Sequence, residues 1–172
     1  LRFAPVTDAD DAFLVELLND PDFLRHIGDR QVRDAAGARA WLAAGPRASY
    51  EKHGMGLWRV ARKDDDVPLG LCGLVVRAEL PGPDLGYAFL PAARGQGIAR
   101  EAAAATVAHA FGTLGLPRLL AIVTEANTAS IRLLESLGLV QAGHHDTGSE
   151  RLRLHALDAD AWRAAQTGVG LR

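Results

Sequence analysis

The run Arg94-Gly95-Gln96-Gly97-Ile98-Ala99 joins two segments of different periodicity. Before it, Leu85-Gly86-Tyr87-Ala88-Phe89-Leu90 is apolar and has strand character. After it, an alanine-rich helical pattern extends from Glu101 to Leu114. A strand, a glycine turn and a helix start in that order make an anion site. The first amides of a helix have no intrahelical partner and point outward as donors. The helix dipole adds partial positive charge at the same place. Glycine removes the Cβ that would keep a phosphate away from the backbone. The ligand expected here carries a pyrophosphate and is held largely by main chain.

What flanks the glycines narrows the choice. A Walker loop needs Lys-Ser or Lys-Thr after its last glycine, whereas Gly97 is followed by Ile98-Ala99. A nucleotide-binding protein built on this turn is disfavoured for that reason. A dinucleotide fingerprint needs a third glycine in the first βα unit. Gly95-Gln96-Gly97-Ile98-Ala99-Arg100 lacks it and lies mid-chain. The stretch instead resembles R-x-x-G-x-G/A, the acetyl-CoA signature of the GNAT superfamily of N-acetyltransferases. Arg94, Gly97 and Ala99 fill its three defined positions.

A second constellation lies downstream, in Asn127-Thr128-Ala129-Ser130-Ile131-Arg132-Leu133-Leu134-Glu135-Ser136-Leu137-Gly138-Leu139. On its own it reads as an Asn N-cap, a first-turn serine and an amphipathic helix closed by glycine. It also resembles N-x-x-S-x-x-x-L-x-x-x-G-[FL], the second signature of the RimJ/RimL-type branch of GNAT enzymes. That branch includes ribosomal-protein N-terminal acetyltransferases and many small-amine acetyltransferases. The opening Leu1-Arg2-Phe3-Ala4-Pro5, Gly70-Leu71-Cys72-Gly73, Asp84-Leu85-Gly86-Tyr87 and Glu101-Ala102 look like the branch as well. The resemblance covers nearly the whole chain.

The resemblance implies an α/β (α+β) fold, a mixed, mostly antiparallel sheet with helices on both faces. Two central parallel strands, Asp84–Leu90 and Arg118–Val123, are expected to splay apart. The pantetheine arm of acetyl-CoA then enters the gap and pairs with backbone near Phe89 and Leu90. A backbone amide there would also bind the thioester oxygen as charge develops on it. The implied cofactor contacts are Phe89, Leu90, Arg94, Gly95, Gln96, Gly97, Ile98, Ala99, Asn127 and Ser130, with acetyl-CoA as co-substrate and no metal. Many GNAT enzymes carry a tyrosine seven residues after the asparagine to protonate the departing thiolate; here that position is Leu134. In the RimJ/RimL-type branch the serine three after the asparagine takes the role, which points to Ser130. Asp84 stands where the branch often has Glu, which makes it a base for the substrate ammonium, directly or through water. Read from the residues alone, Asp84 is equally a strand-start aspartate after Pro83. Glu79 is a second, weaker base candidate. The implied activity is transfer of acetyl from acetyl-CoA to a primary amine, a protein N-terminus or a small molecule. A non-catalytic acetyl-CoA sensor of the same fold is the rival.

Composition fits this outline. A chain of 172 residues is long enough for one domain, 1–172, with an ordinary core. Hydrophobic residues at 48% and charged residues at 23% are average for globular proteins. A net charge of -2 offers no basic stripe for nucleic acid. No apolar run approaches a membrane span. The start does not read as a signal peptide. The single cysteine, Cys72, reads as a small buried hydrophobe and fits a reducing cytoplasm. A monomer or a homodimer is expected.

Along the rest of the chain, Leu1 to Val6 reads as a strand. Thr7 or Asp8 caps a helix carrying Ala12, Phe13, Val15, Leu17 and Leu18, which Asn19-Asp20-Pro21 stops. A short helix is expected around Phe23 to Ile27, and Asp34 caps another with Ala38, Trp41 and Leu42. Gly54-Met55-Gly56 opens strands Leu57 to Lys63 and Pro68 to Arg77, joined by a solvated acidic turn, Asp64-Asp65-Asp66. Leu139 to Gly143 and Glu150 to Leu157 form a final strand pair, followed by a helix from Asp158 to Gln166. Trp41 and Trp58 are candidates for lining an acceptor pocket but read better as core packing, and Trp162 reads as packed. His144-His145-Asp146 reads as a loop or solvated strand end, not a metal site.

Overall fold

The computed structural model, which describes residues 1–168, lays seven strands into one mixed sheet. In chain order they are β1 (Arg2–Pro5), β2 (Leu57–Ala61), β3 (Pro68–Val75), β4 (Asp84–Phe89), β5 (Arg118–Val123), β6 (Val140–Asp146) and β7 (Arg151–Asp158). Across the sheet the order is β1-β2-β3-β4-β5-β7-β6. Every neighbouring pair is antiparallel except β4 and β5.

That central pair is the feature the sequence led us to expect. β4 and β5 meet at one register position, Asp84 opposite Leu120, with the Leu120 amide donating to the Pro83 carbonyl at 3.1 Å. Beyond that point they separate. Each is paired along its length on its other side, β4 with β3 and β5 with β7. Two fully laddered half-sheets therefore flank a gap that widens toward Phe89 and Val123. The left half is tightly stacked. A Cβ on Gly73 would lie 2.1 Å from the Gly56 carbonyl oxygen, so only glycine lets β2 close on β3 here.

Helices cover both faces. One face carries α1 (Asp11–Leu18), α2 (Pro21–His26), α3 (Ala35–Leu42) and α4 (Ala48–His53). Here Phe13, Leu14, Leu17, Leu18 and Leu42 pack on Leu71 of β3. The other face carries α5 (Ile98–Gly112), α6 (Thr128–Ser136) and α7 (Ala159–Gly168). Val107 and Phe111 of α5, Leu134 of α6, and Leu119 and Leu157 share its core, and Trp162 stacks on Phe111 at 5.4 Å. Each fully buried leucine in these layers stabilises by roughly 1.5–3 kcal/mol.

Three expectations change. No helix was expected between Leu42 and Gly54. In the fold the chain continues through a π-helical turn, Ala43–Arg47, into α4, because the wider turn accommodates Pro46 inside it. α5 begins at Ile98, directly on Gly97, three residues ahead of the apolar pattern that starts at Glu101. β6 runs on to Asp146, so His144 and His145 stand on a strand. The acidic turn is bound to cations: Asp66 accepts from Arg59 and Arg2, and Asp65 from Arg62.

Candidate active site

The glycine turn is built as the sequence implied. Gly95 and Gly97 have φ of +71° and +77°, a region that disfavours any residue with a Cβ. At neither does an added Cβ meet an atom within 4 Å, so the backbone there faces open space. The first helical bond of α5 runs from the Glu101 amide to the Gly97 carbonyl at 2.9 Å. The amides of Ile98, Ala99 and Arg100 precede it and are free donors. Gly95, Gly97, Ile98, Ala99 and Arg100 line a cleft of about 430 Å³. Gln96 braces the turn, its Nε2 donating to the Ala92 carbonyl at 2.6 Å.

Arg94 also lines this cleft and is tied firmly to the fold. Its guanidinium donates to the Phe89 carbonyl (3.0 Å), to Asp22 (2.7 Å) and to the buried Asp20 (2.5 Å). Its charge is spent tying the turn to the start of α2. Arg100 is the arginine on this cleft with no carboxylate partner among the described residues.

On the gap side, ladder alternation separates Phe89 from Leu90. The Leu90 amide donates to the Leu69 carbonyl at 2.8 Å and is already used by β3. The backbone groups of Leu85, Tyr87 and Phe89 turn the other way, toward β5 and the gap. Of the two expected backbone partners, Phe89 faces the gap and Leu90 does not.

Across the gap, Asn127 caps α6, its Oδ1 accepting from the Ser130 amide at 3.1 Å. That bond fixes the amide's orientation and leaves Nδ2 as a free donor. Ser130 Oγ lies 2.6 Å from the hydroxyl of Tyr87, which reaches over from β4. Burial pushes the Tyr87 phenol up to about 12, with the Ser130 hydrogen bond pulling the other way. Leu134 is 1% exposed and belongs to the core.

A larger cleft of about 1060 Å³ opens on the α2–α4 side. Asp84, 1% exposed, is among its lining residues, with Oδ1 2.9 Å from Nε of Arg77. Burial raises its pKa above the usual aspartate value, and Arg77 opposes that shift. Glu79, Trp41 and His145 also line this cleft; Trp58 packs instead on Tyr50 at 5.6 Å. His26, at the end of α2, places Nδ1 3.1 Å from the hydroxyl of Thr124, just past β5. Both clefts include His26, Tyr87, Ala88, Asn127 and Ser130 in their walls. A shared wall thus joins the cleft at the glycine turn to a roomier one. Cys72 takes no part: it is buried, its Sγ is 3.3 Å from the Thr106 hydroxyl, and burial raises its thiol to about 12.

The sequence profile described as the acetyltransferase (GNAT) domain matches residues 1–140. The chain belongs to this family. It is 30% identical over 142 residues to the protein YkkB of Bacillus subtilis (strain 168), covering 81% of both chains. It is 27% identical over 139 residues to the N-acetyltransferase YoaA of the same organism, covering 80% of this chain and 78% of YoaA. The spermidine N-acetyltransferase of Vibrio cholerae, solved in complex with CoA and spermine, shares the fold with a TM-score of 0.77. That match is 14% identical and covers 94% of this chain and 97% of the other. As a GNAT acetyltransferase, this chain is an acetyl-CoA-dependent acyltransferase.

Proposed function

We propose that this GNAT protein transfers acetyl from acetyl-CoA directly to a primary amine, a small molecule or a protein N-terminus, and that it belongs to the RimJ/RimL-type branch. The observation that carries the reading is the meeting of the two clefts at Tyr87, Asn127 and Ser130 beside the gap. A thioester brought in from the anion side reaches the junction, and an amine comes from the other side. Direct attack needs both reactants in one site at once, which two joined clefts provide.

The residues divide the work. Amides of Ile98, Ala99 and Arg100, with Gly95 and Gly97, hold the pyrophosphate, and the side chain of Arg100 supplies the cation. Phe89 backbone and Asn127 Nδ2 meet the pantetheine amides. Acetyl-CoA supplies a thioester whose carbon is the electrophile. Ser130, on the first turn of α6, donates toward the departing sulfur, where the helix terminus also favours negative charge. Asp84 lies three residues from Tyr87 along β4, about 10 Å at strand rise, so it accepts the ammonium proton through water in the larger cleft. Its burial raises its basicity toward that task.

The test is CoA release, followed by thiol titration, against a panel of polyamines, amino acids, aminoglycosides and short peptides with free N-termini. Acetyl-CoA-dependent release with at least one class, and mass addition of one acetyl group, is the expected result. Tight acetyl-CoA binding without release across the panel favours the sensor reading and overturns this one.

A further inference from the structure

The mechanism above uses Ser130 but leaves the phenol beside it without a task. Tyr87 and Ser130 are 43 residues apart in sequence and 2.6 Å apart in the fold, in the wall that both clefts share. The second acceptor within reach of the phenol, the Ser130 carbonyl, is longer at 3.4 Å. We propose that Tyr87 is a positioning residue that donates into Ser130 Oγ and so aims the serine hydroxyl at the sulfur of acetyl-CoA, the two hydroxyls acting as one donor. This rests on the acetyl-transfer reading above.

The geometry leaves the serine proton few other directions. A serine hydroxyl has one proton and two acceptor sites. Asn127 Oδ1 already accepts from the Ser130 amide. Once Tyr87 donates into Oγ, the serine proton must point away from the phenol, into the gap. Donation into Oγ also polarises the serine O–H and strengthens its own outgoing bond. Burial keeps the phenol protonated well above neutrality, so this donor is intact across the working range. α6 offers no phenol of its own, since Leu134 fills its inward position. β4 delivers one from the opposite wall instead.

The step balances without a charged tyrosine. The amine nitrogen bonds to the acetyl carbon, and the C–S bond breaks with its electron pair going to sulfur. The ammonium proton has already passed to Asp84, so the surplus nitrogen proton leaves to solvent through the larger cleft. An alkoxide is a stronger base than a thiolate, so the serine proton stays on oxygen and stabilises the sulfur as a hydrogen bond. The thiolate takes a proton from solvent on release.

The experiment is a double-mutant cycle with Tyr87→Phe and Ser130→Ala, read at saturating acetyl-CoA and amine. Each single variant is expected to lower kcat about 10-fold, the rate equivalent of one hydrogen bond, with the acetyl-CoA KM within about twofold. The double variant is expected to be no slower than the slower single, because one donor is being removed twice. Tyr87→Phe within about twofold of wild type, or losses that multiply in the double variant, overturns the proposal. A second readout needs no turnover and is insensitive to the folded fraction: the ratio of affinities for CoA and desulfo-CoA. Wild type is expected to prefer CoA, and Tyr87→Phe to erase that preference; an unchanged ratio also overturns the proposal. If wild type shows no turnover with any amine, the function proposed above fails, and the affinity ratio still decides the Tyr87 assignment.

Discussion

Two substitutions at Gly97 separate the fold from the ligand. Its φ of +77° costs an L residue about 1–2 kcal/mol. No protein atom lies within 4 Å of an added Cβ, so strain is the whole cost to folding. With 172 residues and an unfolding entropy of about 2.1 cal/mol/K per residue, that strain lowers Tm by about 3–6 °C. Gly97→Ala and Gly97→Glu are expected to melt alike, since both carry the same backbone penalty. They part company in binding. The alanine methyl stands where the pyrophosphate approaches and weakens acetyl-CoA by about one hydrogen bond, roughly 10-fold. The glutamate adds a like charge at about 4 Å, worth about 4 kcal/mol at an effective dielectric of 20, or nearly 10³-fold more. Circular dichroism melts and calorimetric titration with acetyl-CoA provide both readings. If Gly97→Glu binds acetyl-CoA within about threefold of Gly97→Ala, against the much larger gap expected from charge, the pyrophosphate is elsewhere.

Asn127→Ala loses a helix cap, about 1 kcal/mol, and also the free Nδ2 donor; a lower Tm with an unchanged acetyl-CoA KM would leave only the cap. Asp84→Asn is expected to slow turnover yet raise Tm at pH 7, because it removes a charge held in a buried place. The folded-state pKa of Asp84 is raised, so its protonated form favours folding and wild type recovers stability as pH falls toward 3.8; the Tm advantage of Asp84→Asn should therefore shrink near pH 4, and a constant advantage would refute the assignment. His155 is fully buried with neither ring nitrogen bonded to a protein group, and burial lowers its pKa below 6.5. Its proton is bound more readily when the chain unfolds, so wild type should lose up to about 1.4 kcal/mol per pH unit as pH falls below 6.5, and His155→Leu should lack that slope in urea titrations.

The parts of the site that were legible are local. A glycine turn between a strand and a helix specifies free amides wherever it occurs, and an asparagine ahead of an amphipathic pattern specifies a cap. The gap was expected only through the resemblance to the GNAT family, since no local pattern in β4 or β5 specifies it. What stayed hidden depends on which distant segments meet. Neither the Tyr87–Ser130 contact nor the His26–Thr124 contact, 98 residues apart, leaves any periodicity to read. Tyr87 lies on β4, and nothing in the sequence shows that this strand brings its phenol to α6. Leu90 was misplaced for a simpler reason: ladder alternation assigns neighbouring residues to opposite sides, and the register was unknown. The helix at Ala48–His53 was missed because Pro46 reads as a breaker, while the π-helical turn absorbs it.

The bonds from Arg94 to Asp20 and Asp22 bear on how such a protein can be recombined. The walls of the larger cleft draw heavily on the segment ahead of β2, and under the proposed function that segment is the natural piece to exchange when a new amine is wanted. Asp20 caps α2 through the amides of Asp22 and Phe23 while accepting the Arg94 guanidinium. A donor segment lacking that aspartate would leave the arginine beside the glycine turn held by Asp22 alone on α2 and slacken its hold on the Phe89 carbonyl. The graft would then disturb the half of the protein it was meant to leave alone. A workable chimera has its seam defined by charge, with Asp20, Asp22 and Arg94 inherited from one parent.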